Sequence, residues 1–338
     1  MTFIRSLSAL ALAAWMSVAS APFAIAETSE VRLAKQVGLG SLTLLVMEHE
    51  KLLEKHMQAE GIADPKAVWT TFGSGAVMND GLISGNLDFA AGGAIPLAVL
   101  WSKTVGTPNE VRGVCGLNAM PMLLDTRNPE IKSIRDITPK SKIAVPAIKV
   151  SIQAVTLQMA AAKEWGDAEF AKLDPMTVSM NGVDSYVALT TGGGELDIRF
   201  GTAPYAQLEL RKPGIHTILN SYDVLGGPHD INFIYTTKRF RDQNPKAYAA
   251  FVAAFKEATD IVNADKRRAA EIYLSLSPEK VSVDDLTAIL RDPQFISSMT
   301  PMGVTKFVEF AYRTGTIKKK PETWKDLFFP EAQALPGG

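Results

Sequence analysis

The hydrophobic pattern of the chain switches between two periods, and the switches outline its elements. Residues 31–36 alternate, with Val31 and Leu33 set against Arg32 and Lys35, which predicts a strand. After a loop over 37–40, the apolar positions Leu42, Leu45, Val46 and Leu53 recur at helical spacing, with His49 and His56 on the same face. That pattern predicts one helix over 41–58 with Ser41 as its N-cap. Residues 66–72 predict a second strand, ending in Gly73-Ser74-Gly75, and 76–84 a second helix. The stretch Gly85-Asn86-Leu87-Asp88-Phe89-Ala90-Ala91-Gly92-Gly93-Ala94 reads as a turn glycine, a short buried strand, and the start of a helix that tolerates Pro96 in its first turn. Residues 111–117 form a further strand, 122–124 cross into a second lobe, and 133–137 give a short helix.

The same order then recurs. Gly194-Glu195-Leu196-Asp197-Ile198-Arg199-Phe200-Gly201-Thr202-Ala203 lies 109 residues after the first copy and matches it at five of ten positions. Leu33-Ala34 is answered by Ile143-Ala144 and Ser41-Leu42 by Ser151-Ile152 at an offset of 110, and Gly73 by Gly182 at 109. A strand over 142–145, a helix capped by Ser151 and a strand over 176–180 complete the second set. The chain returns through 215–219, 224–228 and a strand over 232–237, and continues as helices over 245–262, 267–276, 283–290 and 301–312. The fold class is α/β, with two similar lobes joined by two hinge crossings. Lobe one takes residues 27–119 and 226–338, and lobe two 120–225.

Composition narrows the setting. Arg5, an apolar run over 7–19 and Ala24-Ile25-Ala26 make residues 1–26 a cleavable secretory signal peptide, so the mature chain is expected to be exported. The run is short and Pro22 interrupts it, which argues against a membrane anchor. A net charge of −1 over 338 residues, with no basic run longer than 318–320, gives no nucleic-acid footprint. Cys115, the single cysteine, allows no internal disulfide and fits a small buried hydrophobe better than a reactive thiol.

In an open α/β sheet, ligands bind beyond the carboxyl ends of the strands. Six loops stand at such points: 37–41, 73–75, 92–94, 147–151, 181–184 and 201–205. They are rich in Gly, Ser and Ala, which is ordinary turn chemistry singly but leaves backbone N–H groups open to an anion where several helix starts converge. The candidate ligand-binding residues are Gln36, Ser41, Leu42, Ser74, Gly75, Gly93, Ala94, Lys149, Val150, Ser151, Asp184, Arg199 and Tyr205. Lys149 and Arg199 would supply a cation, and Asp184 would meet an amine or cap a helix. Catalytic signatures are missing: the chain has no Gly-x-Gly-x-x-Gly after a strand, no phosphate-binding loop and no Gly-x-Ser-x-Gly elbow. His49 and His56 stand two helical turns apart, too far to chelate a metal readily. His229-Asp230 has no nucleophile beside it, and Asp88 and Asp197, one per copy, read as structural. Neither a cofactor nor a metal is expected.

These residues also resemble a known family. The opening strand ending in Gln36, Phe72-Gly73-Ser74-Gly75, Gly85-Asn86-Leu87-Asp88-Phe89, Ile143-Ala144-Val145-Pro146, and Gly194-Glu195-Leu196-Asp197 before Pro204-Tyr205 are similar to the nitrate/sulfonate/taurine (SsuA/Thi5-like, NMT1-like) substrate-binding proteins of ABC transporters. The resemblance implies a type II periplasmic-binding-protein clamshell, monomeric, that captures a small anionic organic solute or nitrate. Its partners would be an inner-membrane permease and that permease's ATPase. A pyrimidine-precursor enzyme on the same fold, or a receptor of an ATP-independent transporter, are the alternatives. The pyrimidine-synthase branch carries a cysteine-rich run, and with only Cys115 this chain departs from it.

Overall fold

The computed structural model describes residues 27–338 other than 74, 193, 195, 278 and 279. The expected signal peptide and Ser74 lie outside the described residues. Among the described residues, ten strands form two sheets: β1 (Glu30–Gln36), β2 (Lys66–Phe72), β3 (Phe89–Gly92), β4 (Val111–Ala119), β5 (Leu123–Thr126), β6 (Ile143–Val145), β7 (Thr177–Ser179), β8 (Ile198–Gly201), β9 (His216–Asn220) and β10 (Asp230–Thr237). The first sheet runs β2-β1-β3-β10-β4 and the second β7-β6-β8-β5-β9. In each, three parallel strands meet an antiparallel fourth. Strands β3 and β8 are buried at every position, as central strands covered on both faces must be.

The sequence repeat is a repeat of register. Leu33 and Ala34 pair with Phe89 and Ala90 in the first sheet, and Ile143 and Ala144 with Ile198 and Arg199 in the second. The two aspartates do the same structural task. Asp88 accepts the backbone N–H of Arg32 at 2.8 Å, and Asp197 accepts that of Lys142 at 2.8 Å. Each carboxylate thereby satisfies a donor at the start of the neighbouring parallel strand. Thr236 and Thr126, on the antiparallel strands, donate to the backbone carbonyls of Asp88 and Asp197 at 2.5 and 2.8 Å.

The expected helix over 41–58 is two helices, α1 (Leu42–His49) and α2 (Leu52–Ala59). Lys51 between them adopts a left-handed φ of 52°, which redirects α2 so that Leu52, Leu53 and Met57 are buried. Ser41 is not the expected cap. Its hydroxyl donates to the Gln36 carbonyl at 2.7 Å and accepts from the Gln36 N–H, closing the β1 loop on itself. Its counterpart Ser151 does cap, accepting from Ala154 N–H at 3.2 Å.

The next helices are α3 (Gly75–Ser84), α4 (Ala94–Thr104), α5 (Ile152–Trp165), α6 (Gly182–Thr191), α7 (Tyr205–Glu209), α8 (Ser221–Leu225), α9 (Lys238–Gln243) and α10 (Pro245–Ala264). Helix α10 lays Phe251 flat on Phe89 of β3, ring centroids 3.9 Å apart. The chain crosses from β4 to β5 and back from α8 to β10, and Ser221 ties the two crossings together. Its N–H donates to the Met122 carbonyl at 2.9 Å, its Oγ accepts the Met122 N–H at 2.8 Å, and His229 Nε2 lies 2.8 Å from that oxygen.

Candidate functional site

A cavity of about 310 Å³ lies between the two lobes, at the carboxyl ends of the parallel strands. Gln36, the last residue of β1, builds the first-lobe wall. Its Nε2 donates to the Ala91 carbonyl at 3.0 Å and to Asn232 Oδ1 at 2.8 Å, binding the ends of β1, β3 and β10 together. Gly38 and Gly40 carry the backbone past this pair. Gly38 has φ 107°, a conformation that glycine alone adopts readily, and a Cβ on Gly40 would come within 3.1 Å of Asn232 Nδ2.

The second-lobe wall begins at α6. Asn181 caps it, accepting from Asp184 N–H at 2.9 Å, so Asn181 takes the capping role considered for Asp184. The Asp184 carboxylate is exposed and accepts from Asn181 Nδ2 at 2.6 Å. Beyond it lie Gly182, Ser185, Gly201, Thr202 and Tyr205, with Gln153 from the first turn of α5. Tyr205 follows the cis Ala203–Pro204 peptide and packs against Tyr186, ring centroids 4.8 Å apart and tilted by 36°.

Of the sequence candidates, Gln36, Asp184, Arg199 and Tyr205 line this cavity. Gly75, Gly93, Val150 and Ser151 line an adjoining recess of about 50 Å³ that shares Gln36, Gln153 and Asn232 with it. Three candidates are corrected by burial: Ser41, Leu42 and Ala94 are fully enclosed in the first lobe and line neither space. Lys149 is a further correction. It is exposed, holds a left-handed φ of 68° and stands outside both spaces. Arg199 reaches the cavity wall, but its charge is spent inside the lobe. Its Nη1 lies 2.9 Å from both Glu209 oxygens, and its Nε donates to Ser185 Oγ at 2.9 Å. Burial raises the pKa of the Glu209 carboxyl, and Asp125 nearby is raised for the same reason.

The neutral amides Gln153, Asn181 and Asn232 were not singled out from the sequence. Asn232 had a visible signal, an amide between the large apolar residues Ile231 and Phe233. His229 and Asp230 are buried at the second crossing, bonded to Ser221 and to the Met302 N–H, while Asp197 holds Lys142; these three groups form no common site. Among the described residues, no group of three or more His, Cys, Asp or Glu side chains could hold a metal ion. No described helix is long and apolar enough to cross a membrane.

Comparison with known proteins fits this geometry. The model of the NMT1-like family matches residues 25–276. A search of curated proteins gave no match. Among solved structures, the alkanesulfonate-binding protein SsuA from Xanthomonas axonopodis pv. citri, bound to MOPS, superposes with a TM-score of 0.67 at 16% identity, covering 93% of this chain and 100% of that one. The periplasmic aliphatic sulphonate binding protein SsuA from Escherichia coli gives 0.65 at 18%, covering 89% and 92%. The periplasmic nitrate-binding protein NrtA from Synechocystis PCC 6803 gives 0.64 at 13%, covering 91% and 86%. At these identities the likeness carries the fold alone. The chain belongs to the NMT1-like family and has the two-lobed fold of periplasmic binding proteins.

Proposed function

We propose that the protein is the solute-capturing component of an ABC importer, exported to the periplasm by cleavage after Ala26 and acting as a monomer. It delivers its solute to an inner-membrane permease driven by an ATPase. The solute is a small organic molecule with an anionic group, such as a sulfonate, a taurine-like compound or an aromatic carboxylate, or else nitrate. The cleft of about 310 Å³ is the observation that supports this most, because glycine-rich loops and amide side chains from both lobes border one space. Helix α6 opens on it at Gly182, and α3, α4 and α5 begin at the adjoining recess. Each helix start contributes about half a positive charge, which favours an anion without a side-chain cation. The names of the structural relatives, alkanesulfonate, aliphatic sulphonate and nitrate binders, make those classes the first to try.

In this account the solute docks on one wall, and the body 27–119 with 226–338 closes on the body 120–225 about the two crossings. Binding needs a low-energy hinge and no nucleophile. A thermal-shift panel of sulfonates, nitrate and aromatic carboxylates tests it. A true solute at 100 times its dissociation constant adds ~2.7 kcal/mol and raises the midpoint clearly. A panel with no stabilising member would overturn the proposal.

A further inference from the structure

The second sheet carries a polar cluster that the first sheet does without. Asp125 of β5 stands directly opposite Arg199 of β8 on one side and Thr217 of β9 on the other. Glu209, at the end of α7, completes the group. Asp125 and Glu209 are fully buried and Arg199 is 2% exposed. One residue set further back, the repeat has Ala90 in place of Arg199 and Leu100 in place of Glu209, and Ala90 faces Tyr235 rather than an acid. The same strand register therefore forms without any of these charges. The cluster is an addition to the fold, and it lies where Arg199, Ser185 and Gly182 border the cleft.

Its hydrogen bonds do not balance with both acids ionised. Asp125 Oδ1 accepts from Thr217 Oγ1 at 2.6 Å, but Asp125 Oδ2 is buried with no donor. The second acid of the cluster, Glu209, is itself an acceptor for Arg199, the residue opposite Asp125 across the sheet. Two ionised carboxylates in this buried cluster, with one guanidinium, would leave a net negative charge out of water and an unsatisfied oxygen. One proton between the two carboxyls removes both faults.

We propose that Asp125 and Glu209 form a proton-binding site beneath the cleft, holding one shared proton, and that this proton sets the net charge of the wall behind Arg199. With the proton in place the cluster is neutral, and an anionic group at the Gly182–Tyr205 wall, drawn by the helix starts, meets no net negative charge behind it. When the proton leaves to bulk water, the cluster carries a net negative charge and repels an anion. Burial raises both carboxyls, Glu209 to about 8, in keeping with a proton retained at neutral pH. The other groups facing the pair are few. His216 on β9 lies beyond Thr217 with its Nε2 on the Ile131 carbonyl at 2.8 Å. The Tyr205 ring lies 5.9 Å from the Arg199 guanidinium and packs at a tilt against Tyr186, and Asp184 stands exposed at the mouth. The effect on the solute rests on the cleft being its site; the proton itself does not.

The test separates the two. Infrared spectra of the free protein, wild type against Asp125→Asn and Glu209→Gln, are recorded from about pH 6 to about pH 10, bracketing the raised carboxyls. Each amide donates an N–H in place of the proton and leaves Arg199 one carboxylate, so both variants keep the cluster closed. Wild type minus either variant should show one protonated-carboxyl carbonyl band at neutral pH that vanishes with alkali. Buried Asp230 is common to all three proteins and cancels. No difference band at neutral pH, against either variant, overturns the proton site. Calorimetric titration with methanesulfonate then tests the linkage. Wild-type affinity should fall about tenfold between pH 7 and pH 9, as one buried charge near the anion requires, and less than about twofold in Glu209→Gln. Binding to wild type that ignores pH overturns the linkage. If methanesulfonate binds at neither pH, the titration is repeated with the most stabilising anion of the thermal-shift panel; a panel without one overturns the anionic-solute proposal, and the infrared difference alone then upholds or overturns the proton site.

Discussion

Arg199 and Glu209 form an ion pair out of solvent, with Nη1 2.9 Å from each carboxylate oxygen, and Asp125 waits behind it as a second acid. This makes the two partners unequal. Arg199→Met strands two buried carboxyls without a cation and should cost about 3–5 kcal/mol. Glu209→Gln leaves Asp125 to balance the guanidinium and should cost about 1 kcal/mol, the loss of one hydrogen bond to a charge being partly replaced. Urea unfolding of both variants measures the difference; equal losses would show that Asp125 plays no part.

The pH dependence of stability carries the same signature. Glu209 has its pKa raised by burial, from 4.5 to about 8, so between those values the folded protein holds more protons than the unfolded chain. Stability contributed by this group is therefore lost as pH rises through that window. Glu209→Gln removes the loss, and its unfolding free energy should decline less than that of wild type from about pH 6 to about pH 9. Denaturant titrations at a series of pH values check this.

His229 predicts the opposite limb. It is buried between Tyr222 and Phe307, ring centroids 5.4 and 5.5 Å away, and burial lowers its pKa from 6.5 to about 4. Below its unfolded pKa the unfolded chain takes up the proton first, so stability falls as pH drops towards 4, by as much as about 3 kcal/mol. His229→Gln should flatten that acid limb. Because His229 and Ser221 join the two crossings, small-angle scattering of the variant also reports whether the lobes keep their relative pose.

Asp88 and Asp197 belong to the frame and not to the solute. Each accepts a strand N–H at 2.8 Å, and Asp88 also holds the Arg32 guanidinium at 2.7 Å. Asp88→Ala and Asp197→Ala should each lower stability by about 1–3 kcal/mol through an orphaned buried donor, with solute affinity changed less than about twofold. A large loss of affinity at full folding would place them in the site instead.

Much of the architecture was legible because the repeat is a repeat of register. Matching Leu33-Ala34 to Ile143-Ala144 and Asp88 to Asp197 identified strands that do pair alike. The break at Lys51 was not legible, since an apolar stripe continues across it and only packing of α2 decides the turn. Ser41 and Ser151 occupy matched positions, yet one closes a loop onto Gln36 and the other caps a helix; sequence spacing does not separate those bonds. For the site, strand ends led to Gln36, Asp184, Arg199 and Tyr205 on the cleft. The fate of the cations was hidden. Arg199 inside the apolar Ile198-Arg199-Phe200 strand signalled something unusual, but its partners come from Glu209 and from Asp125 across the sheet, and only the fold brings them together.

A solute bound between the lobes would be held by groups from both. Calorimetric titration of the most stabilising panel solute into wild type and into the double variant Asn181→Ala/Asn232→Ala tests it most directly, because one residue comes from each wall. One solute should bind per wild-type chain, and affinity should be about a hundredfold lower in the double variant, two polar contacts of ~1.5 kcal/mol each. Undiminished affinity in a folded double variant would contradict it.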